Sequence, residues 1–331
     1  MLLRFIKNWA LPISMTIGAL GYIIGRELPL SADIKGGIVK GVEMLQPALL
    51  FCMLFVTFCK VPPSALKPKM LHLWLIMIQC VFFIVTCIVL YFFPQTEYRL
   101  LAETFLLVMI CPTATACAVI TSKLGGDAGL TTSYTILICI VTAIIIPIFL
   151  PLASARHGMA FLPTLLLILK HVFPLLLAPL FAAWGVRYFF PKLLNMILSQ
   201  KDLGFHMWTV ALSLAIAVTV RALYNSSISI IEMLGIAAVS LAGCLLQFGL
   251  GKAIGEHYGC RLEGGQALGQ KNTIFAIWLG YTFLSPISAT AGGFYSIWHN
   301  LVNTYQLYRY RKSPTPTEGG SGNFSDAVTD K

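Results

Sequence analysis

An apolar run over about residues 100–122 is interrupted by Cys111-Pro112-Thr113-Ala114-Thr115-Ala116-Cys117. A second run, over about 263–284, contains Gly264-Gly265-Gln266-Ala267-Leu268-Gly269-Gln270-Lys271-Asn272. Proline removes a helical hydrogen bond and glycine weakens a helix, so each stretch predicts a break in the helix that contains it.

The two breaks lie about half a chain apart, and both are surrounded by apolar sequence. A backbone N–H or C=O released from a helix in hydrocarbon costs several kcal/mol unless protein, water or a ligand satisfies it. The breaks are therefore expected in the protein interior. Where two broken helices meet near the middle of a membrane, their ends provide sites for anions and cations.

The composition places the whole chain in a membrane. Hydrophobic residues make up 57% of the sequence and charged residues 11%, which leaves too little polar surface for a soluble globule. A span across about 30 Å of hydrocarbon needs roughly 20 residues. The ten predicted spans cover about residues 9–25, 41–59, 70–94, 100–122, 128–154, 160–187, 204–224, 228–252, 263–284 and 286–308.

The spacing of the breaks predicts an internal repeat. Five spans per half is an odd number, so the second half enters the membrane from the opposite side and the repeat is inverted. The predicted fold is an all-α membrane protein of about ten transmembrane helices. Its predicted units are the first repeat, 1–155, the second repeat, 156–312, and a disordered cytoplasmic tail rich in Pro, Gly, Ser and Thr, 313–331.

Basic residues predict the orientation, because they accumulate in cytoplasmic loops. With the N-terminus inside, fourteen lysines and arginines fall in or near inner loops and six in or near outer loops. This favours a multi-pass protein of the cell (inner) membrane with both termini cytoplasmic. The net charge of +10 is spread over many loops, so no nucleic-acid partner is predicted. The oligomeric state stays open.

Lys271 is the most informative single residue. It lies in the middle of the ninth predicted span, where an ammonium costs at least about 2.5–3.5 kcal/mol on insertion scales. It is therefore expected to face a cavity or a partner.

Three motifs resemble those of the bile acid:sodium symporter family and its ten-helix relatives. They are Pro112–Ala118, the segment Gly125–Thr131 with the Thr-rich span that follows, and Gly269–Thr273. The resemblance covers roughly residues 9–310. It implies a panel domain of spans one, two, six and seven, a core domain of the other spans, and fourth and ninth helices that are unwound where they cross. It also implies symport by alternating access, with substrate bound between the domains.

The sequence departs from the sodium-coupled members of that family. Their Ser-Asn pair falls on Cys117-Ala118, and in their Glu-x-Gly-x-Gln-Asn pattern Glu falls on Ala267 and Gln on Lys271. Hard cations prefer oxygen ligands that include a carboxylate, and here the carboxylate is missing. An alignment shift that uses Gln270 supplies no acid either. The remaining positions that match family sodium ligands are Gln79, Thr131 and Thr135.

These departures lead to the hypothesis that the Lys271 ammonium replaces a bound sodium ion. Transport would then be sodium-independent and could be coupled to protonation, because desolvation favours the neutral form of a lysine. No cofactor is predicted beyond sodium or a proton as coupling ion. A buried positive charge suits a small organic anion, and bile acid, a short organic acid and a vitamin precursor are all compatible. The predicted substrate-binding residues are Thr113, Thr115, Ala116, Asn272 and Thr273.

Three other functions remain as alternatives. The first is a sodium-coupled symporter resembling bile acid carriers. The second is a channel or a membrane sensor that does not transport, because broken helices also line pores. The third is an intramembrane enzyme, which the sequence disfavours because it has no HExxH, no GxSxG and no pair of acids in mid-span. No catalytic residue or metal site is predicted.

Overall fold

The computed structural model describes residues 10–154, 160–200 and 202–312. The predicted tail, 313–331, and the predicted boundary between the repeats at 155/156 lie outside these ranges. The described chain is all-α, with one isolated β-bridge and no strand. Its thirteen α-helices are α1 (Ala10–Glu27), α2 (Ala32–Cys59), α3 (Met70–Phe92), α4 (Arg99–Ile110), α5 (Cys117–Lys123), α6 (Ala128–Ala153), α7 (Phe161–Phe189), α8 (Pro191–Ser199), α9 (Leu203–Tyr224), α10 (Ile230–His257), α11 (Arg261–Gly269), α12 (Thr273–Phe283) and α13 (Thr290–Lys312).

Six of these helices are long and apolar enough to cross a membrane, namely α2, α3, α6, α7, α9 and α10. They contain 22 to 29 residues, and at about 1.5 Å per residue each exceeds the thickness of the hydrocarbon core. The chain is therefore a multi-pass membrane protein. The first and last predicted spans overlap α1 and α13, and the fourth and ninth each correspond to two short helices.

Several predicted boundaries are wrong. The helix predicted from residue 41 begins at Ala32, capped by the Ser31 hydroxyl, and the helix predicted to end at 252 continues to His257. Both extensions contain polar residues, so the apolar runs used to predict the boundaries stop short of the helix ends. The sequence reading also missed the short helix α8.

The second break is narrower than predicted. Gly264, Gly265 and Gly269 were expected to loosen the helix, but all three lie within α11. They serve close packing instead: a Cβ added at Gly264 would lie 2.3 Å from the carbonyl oxygen of Gly251 on α10. The backbones of α10 and α11 touch here because neither residue has a side chain. The break itself comprises only residues 270–272.

Four helices form one layer, in which α1 packs on α9, α9 on α2, and α2 on α7. The remaining long helices form a second group. The two groups meet mainly where α7 packs on α6; in addition α9 packs on α13, and both α2 and α9 pack on α12. At one end this contact is polar: Arg221 Nη1 lies 3.2 Å from Glu43 Oε1, and the Tyr281 hydroxyl donates to the same oxygen at 3.0 Å. These three residues join α2, α9 and α12.

The segment Gly125–Thr131, which carried one of the motifs, forms the end of the turn between α5 and α6 and the first residues of α6. Gly125 has a φ of +81°, a conformation that suits glycine. Asp127 then caps α6 by accepting from the N–H of Gly129 at 2.7 Å. Its own N–H donates to Glu263 Oε1 at 2.7 Å, so the turn is tied to the first turn of α11.

Candidate functional site

The two breaks cross as a pair of short extended segments. Thr113 and Lys271 form an antiparallel bridge. The N–H of Asn272 donates to the carbonyl of Pro112 at 2.8 Å, and the N–H of Ala114 donates to the carbonyl of Gln270 at 3.2 Å. Each break thus satisfies backbone groups that the other releases, as buried backbone in a membrane requires.

The Thr113 hydroxyl adds a further bond across the crossing. It donates to the carbonyl of Ala267 in the last turn of α11 at 2.7 Å, and the side chain is fully buried. Carbonyls in the last turn of a helix lack partners within that helix. The side chain of Thr113, which was predicted to bind substrate, therefore links the first break to the end of α11.

The carbonyl ends of the half-helices α4 and α11 are capped by side chains from neighbouring helices. Gln79 on α3 donates through Nε2 to the carbonyls of Ile110 at 2.9 Å and Cys111 at 3.1 Å. Tyr295 on α13 donates to the carbonyl of Gly269 at 2.7 Å. These bonds satisfy three of the carbonyls at the two helix ends.

A second glutamine, Gln247 on α10, supports the same arrangement. Its Nε2 donates to the Tyr295 hydroxyl and to the carbonyl of Val108, each at 3.1 Å. Tyr134 on α6 plays the matching part beside α3, where its hydroxyl donates to Gln79 Oε1 at 3.3 Å. Each side of the crossing thus carries a hydrogen-bonded glutamine and tyrosine.

Lys271 lies at the centre of this network, with only 1% of its side chain exposed. Its ammonium donates to Gln79 Oε1 at 2.6 Å. In the described ranges, no carboxylate pairs with Lys271. The charge is therefore held by one amide oxygen, close to the carbonyl ends of α4 and α11, where the helix dipoles are negative.

Asn272 and Thr273 follow Lys271 at the start of α12. Asn272 Oδ1 accepts from the N–H of Phe275 at 3.2 Å and caps the helix. The Nδ2 of Asn272 is buried and has no partner in the described protein. A buried donor without an acceptor costs about 1–3 kcal/mol, so this group is available to a ligand. Thr273 is also buried, whereas Thr115 is half-buried and Ala116 is exposed.

The residues predicted for ion coupling differ in their contacts at the crossing. Gln79 and Lys271 meet directly. Cys117 contacts the hydroxyl of Thr131, and the Thr135 hydroxyl donates to the carbonyl of Thr131 at 2.9 Å. Ala267 is fully buried beside the crossing, and Ala118 is half-buried on α5.

Gln270 was also predicted for ion coupling, but its side chain points away from Lys271. Its Nε2 donates to Gln266 Oε1, and Gln266 in turn donates to Gln306 Oε1 at 2.9 Å and to Asn303 Oδ1 at 3.3 Å. This amide chain ties α11 to α13, so the structure offers no place for Gln270 beside the ammonium.

The sequence reading missed Tyr134, Gln247 and Tyr295. Each is a polar group inside an apolar span, and each is buried. A polar side chain inside an apolar span could have indicated these residues, because a buried amide or phenol in a membrane helix must find a partner.

A scan against models of known protein families finds no match to this chain, and a search of curated proteins finds no match either. Over the residues that the structure describes, no group of three or more His, Cys, Asp or Glu side chains could hold a metal ion.

Proposed function

We propose that this chain is a secondary active transporter of a small organic anion, working by alternating access. The observation that carries the proposal is Lys271, a fully buried ammonium that bonds to the Gln79 amide at the crossing of two interrupted helices. An ionisable residue at membrane depth with no partner of opposite charge marks a functional site by default. Half-helices that meet inside the membrane are a common design of carrier sites.

The proposed architecture is two inverted repeats of five spans each, resembling the bile acid:sodium symporter family. Two observations support it. The break between α4 and α5 and the break between α11 and α12 pair with one another, and a hydrogen-bonded pair of a glutamine and a tyrosine lies beside each. In the proposed repeat Gln79 corresponds to Gln247 and Tyr134 to Tyr295. The proposed panel consists of α1, α2, α7 and α9.

The packing between the two groups of helices supports alternating access. Glu43, Arg221 and Tyr281 join the proposed panel to α12 at one end of the molecule. The other half-helices, α5 and α11, pack mainly against α6, α10 and each other. Rocking of the panel at its contacts with α6 and α12 would open the crossing to one side of the membrane and then to the other.

Lys271 is proposed to take the place of the coupling sodium ion found in the family. Its ammonium lies 2.6 Å from the oxygen of Gln79, the amide that matches a family sodium ligand. Ala267 stands where those members carry the carboxylate ligand. Transport is therefore proposed to be independent of sodium, with protonation of Lys271 as the coupling event. In this proposal the protein lies in the cell inner membrane with both termini in the cytoplasm.

The substrate is proposed to be an anion because the crossing offers positive charge and donors. Lys271 supplies the charge, and Asn272 supplies a buried N–H₂ group without an acceptor. The N-terminus of α12 begins at the next residue, where the helix dipole favours negative charge. A carboxylate would pair with the ammonium, and an anionic group at the start of α12 would complete the bonds of Asn272.

The proposal is tested in two steps with purified full-length protein. A thermal-shift screen with cholate, benzoate and pyruvate, in sodium and in choline buffers, identifies a ligand, because binding to the folded state raises stability. Counterflow of that labelled ligand in proteoliposomes then separates the functions. Saturable exchange without sodium supports the carrier. Strict sodium dependence would indicate a sodium symporter, non-saturable flux a channel, and chemical conversion of the ligand an enzyme.

A further inference from the structure

A groove of about 450 Å³ runs between α10 and α13, on a surface separate from the helix crossing. Its walls are apolar and include Phe248, Leu301 and Val302, while Lys252 and Gln306 lie at one end. Gly249 forms part of the floor, and a Cβ added there would meet no atom within 4 Å. The groove is therefore open space between two membrane helices.

The two helices run in the same direction, so their ends lie at the same face of the membrane. Trp298 on α13 donates to the carbonyl of Ala237 on α10 at 3.1 Å, and further along both helices Gln306 lies beside Lys252. Lys252 is five residues before the end of α10, which is about 7.5 Å of helix. A lysine at that depth reaches the polar interface with its ammonium.

Lys252 is held in place by its stem. A Cβ at Gly265 would lie 2.6 Å from Lys252 Cγ, so the stem lies flat on α11. No acceptor in the described protein bonds to its ammonium, and Arg261 and Arg309 lie close enough to interact with it electrostatically. Arg261 is paired with Glu256, which leaves this end of the groove positively charged.

The end of the groove also contains an unused donor. Gln306 accepts from Gln266 at 2.9 Å through Oε1, but its Nε2 is buried and has no partner among the described residues. A phosphate oxygen would satisfy that donor and the Lys252 charge together. The apolar walls of the groove suit an acyl chain, and the cation and amide at its end suit an anionic headgroup.

We propose that this groove is a binding site for an anionic phospholipid, from the leaflet that surrounds the C-terminal ends of α10 and α13. One acyl chain lies along Phe248, Gly249 and Leu301, and the headgroup phosphate accepts from Lys252 and Gln306. The site does not depend on the transport function proposed above.

The test measures lipid-induced thermal shifts of the full chain in a neutral maltoside detergent. The probes are phosphatidylglycerol and phosphatidylcholine with identical acyl chains, and inorganic phosphate. Phosphatidylglycerol is expected to raise the melting temperature more than phosphatidylcholine, and phosphate is expected to have little effect. Lys252→Gln should weaken phosphatidylglycerol binding about fivefold and leave phosphatidylcholine binding unchanged.

Gly249→Leu fills the groove and should weaken both lipids about tenfold. Gly185→Leu is the matched control, because a Cβ at Gly185 on α7 also meets nothing within 4 Å but lies outside the groove. The control should bind both lipids as the wild type does. Wild-type affinity in either Lys252→Gln or Gly249→Leu would overturn the site, and so would an equal shift with phosphate alone. Lys252→Gln keeps the test decisive if Gly249→Leu does not fold.

Discussion

Replacing Gln79 with leucine tests the bond on which the account of Lys271 depends. The Gln79 amide accepts from the Lys271 ammonium at 2.6 Å and donates to the carbonyls of Ile110 and Cys111 at 2.9 and 3.1 Å. Leucine has a similar volume but can make none of these bonds. Leucine loses the charge-assisted bond, the two carbonyl bonds and the bond that Gln79 Oε1 accepts from Tyr134, and it leaves an ammonium unpaired, which together should cost about 3–5 kcal/mol of stability.

The contribution of the ammonium is measured with a double-mutant cycle. Lys271→Met removes the charge, so Gln79→Leu in that background should cost only the two carbonyl bonds and the Tyr134 bond, or about 1–2 kcal/mol. The coupling free energy between the two positions is then about 2 kcal/mol or more. Equilibrium unfolding of the four proteins in mixed micelles gives the four free energies.

Gln247 provides the matched control for this cycle. It caps the crossing from α10 through Val108 and Tyr295 and makes no bond to Lys271. Gln247→Leu should therefore destabilise the protein, but additively with Lys271→Met. If Gln79→Leu is also additive with Lys271→Met to within about 0.5 kcal/mol, the bond between Gln79 and Lys271 does not contribute and the reasoning is refuted.

Three further predictions concern the same region. Ala267→Glu with Lys271→Gln creates the Glu-x-Gly-x-Gln-Asn pattern of the sodium-coupled carriers, so sodium chloride should raise the melting temperature of this double variant relative to choline chloride. Equal melting temperatures in the two salts would contradict the proposal that Lys271 replaces a sodium ion. Gly251→Ala should lower the free energy of unfolding by about 1–3 kcal/mol or more, because its Cβ would lie 2.3 Å from a backbone oxygen of α11. Gly249→Ala is the control and should be neutral or stabilising. Equal effects of the two substitutions on the denaturation midpoint would contradict the close packing of α10 and α11. Tyr295→Phe should cost about 1–3 kcal/mol in the same unfolding assay, since it leaves the Gly269 carbonyl without its donor, and wild-type stability would show that another group caps α11.

The sequence was sufficient to predict a helical membrane protein and its two breaks. Composition and the length of the apolar runs decide the first point, because lipid permits few other structures. Pro112 marks the first break directly, since it cannot donate a helical hydrogen bond. Lys271 was expected to face a cavity or a partner because of the cost of an ammonium in an apolar span, and its ammonium meets the Gln79 amide.

The width of the second break and the partners at the crossing could not be predicted. Glycine weakens an isolated helix, but in α11 it allows close contact with α10. The local sequence does not distinguish a glycine that breaks a helix from one that permits close packing. Gln247 and Tyr295 lie on different helices, so their contact depends on how those helices are rotated and placed. Thr113 looked available to a substrate because nothing in the local sequence indicates its bond to Ala267.

Counterflow in proteoliposomes, with and without sodium, tests the central claim most directly. The labelled carboxylate found in the thermal-shift screen is exchanged against unlabelled ligand, for the wild type and for Lys271→Gln. The account predicts the same saturable rate in sodium and in choline buffers for the wild type, and loss of exchange in Lys271→Gln. Sodium-dependent exchange by the wild type, or undiminished exchange by Lys271→Gln, would contradict the assignment of Lys271 as the replacement for the coupling ion.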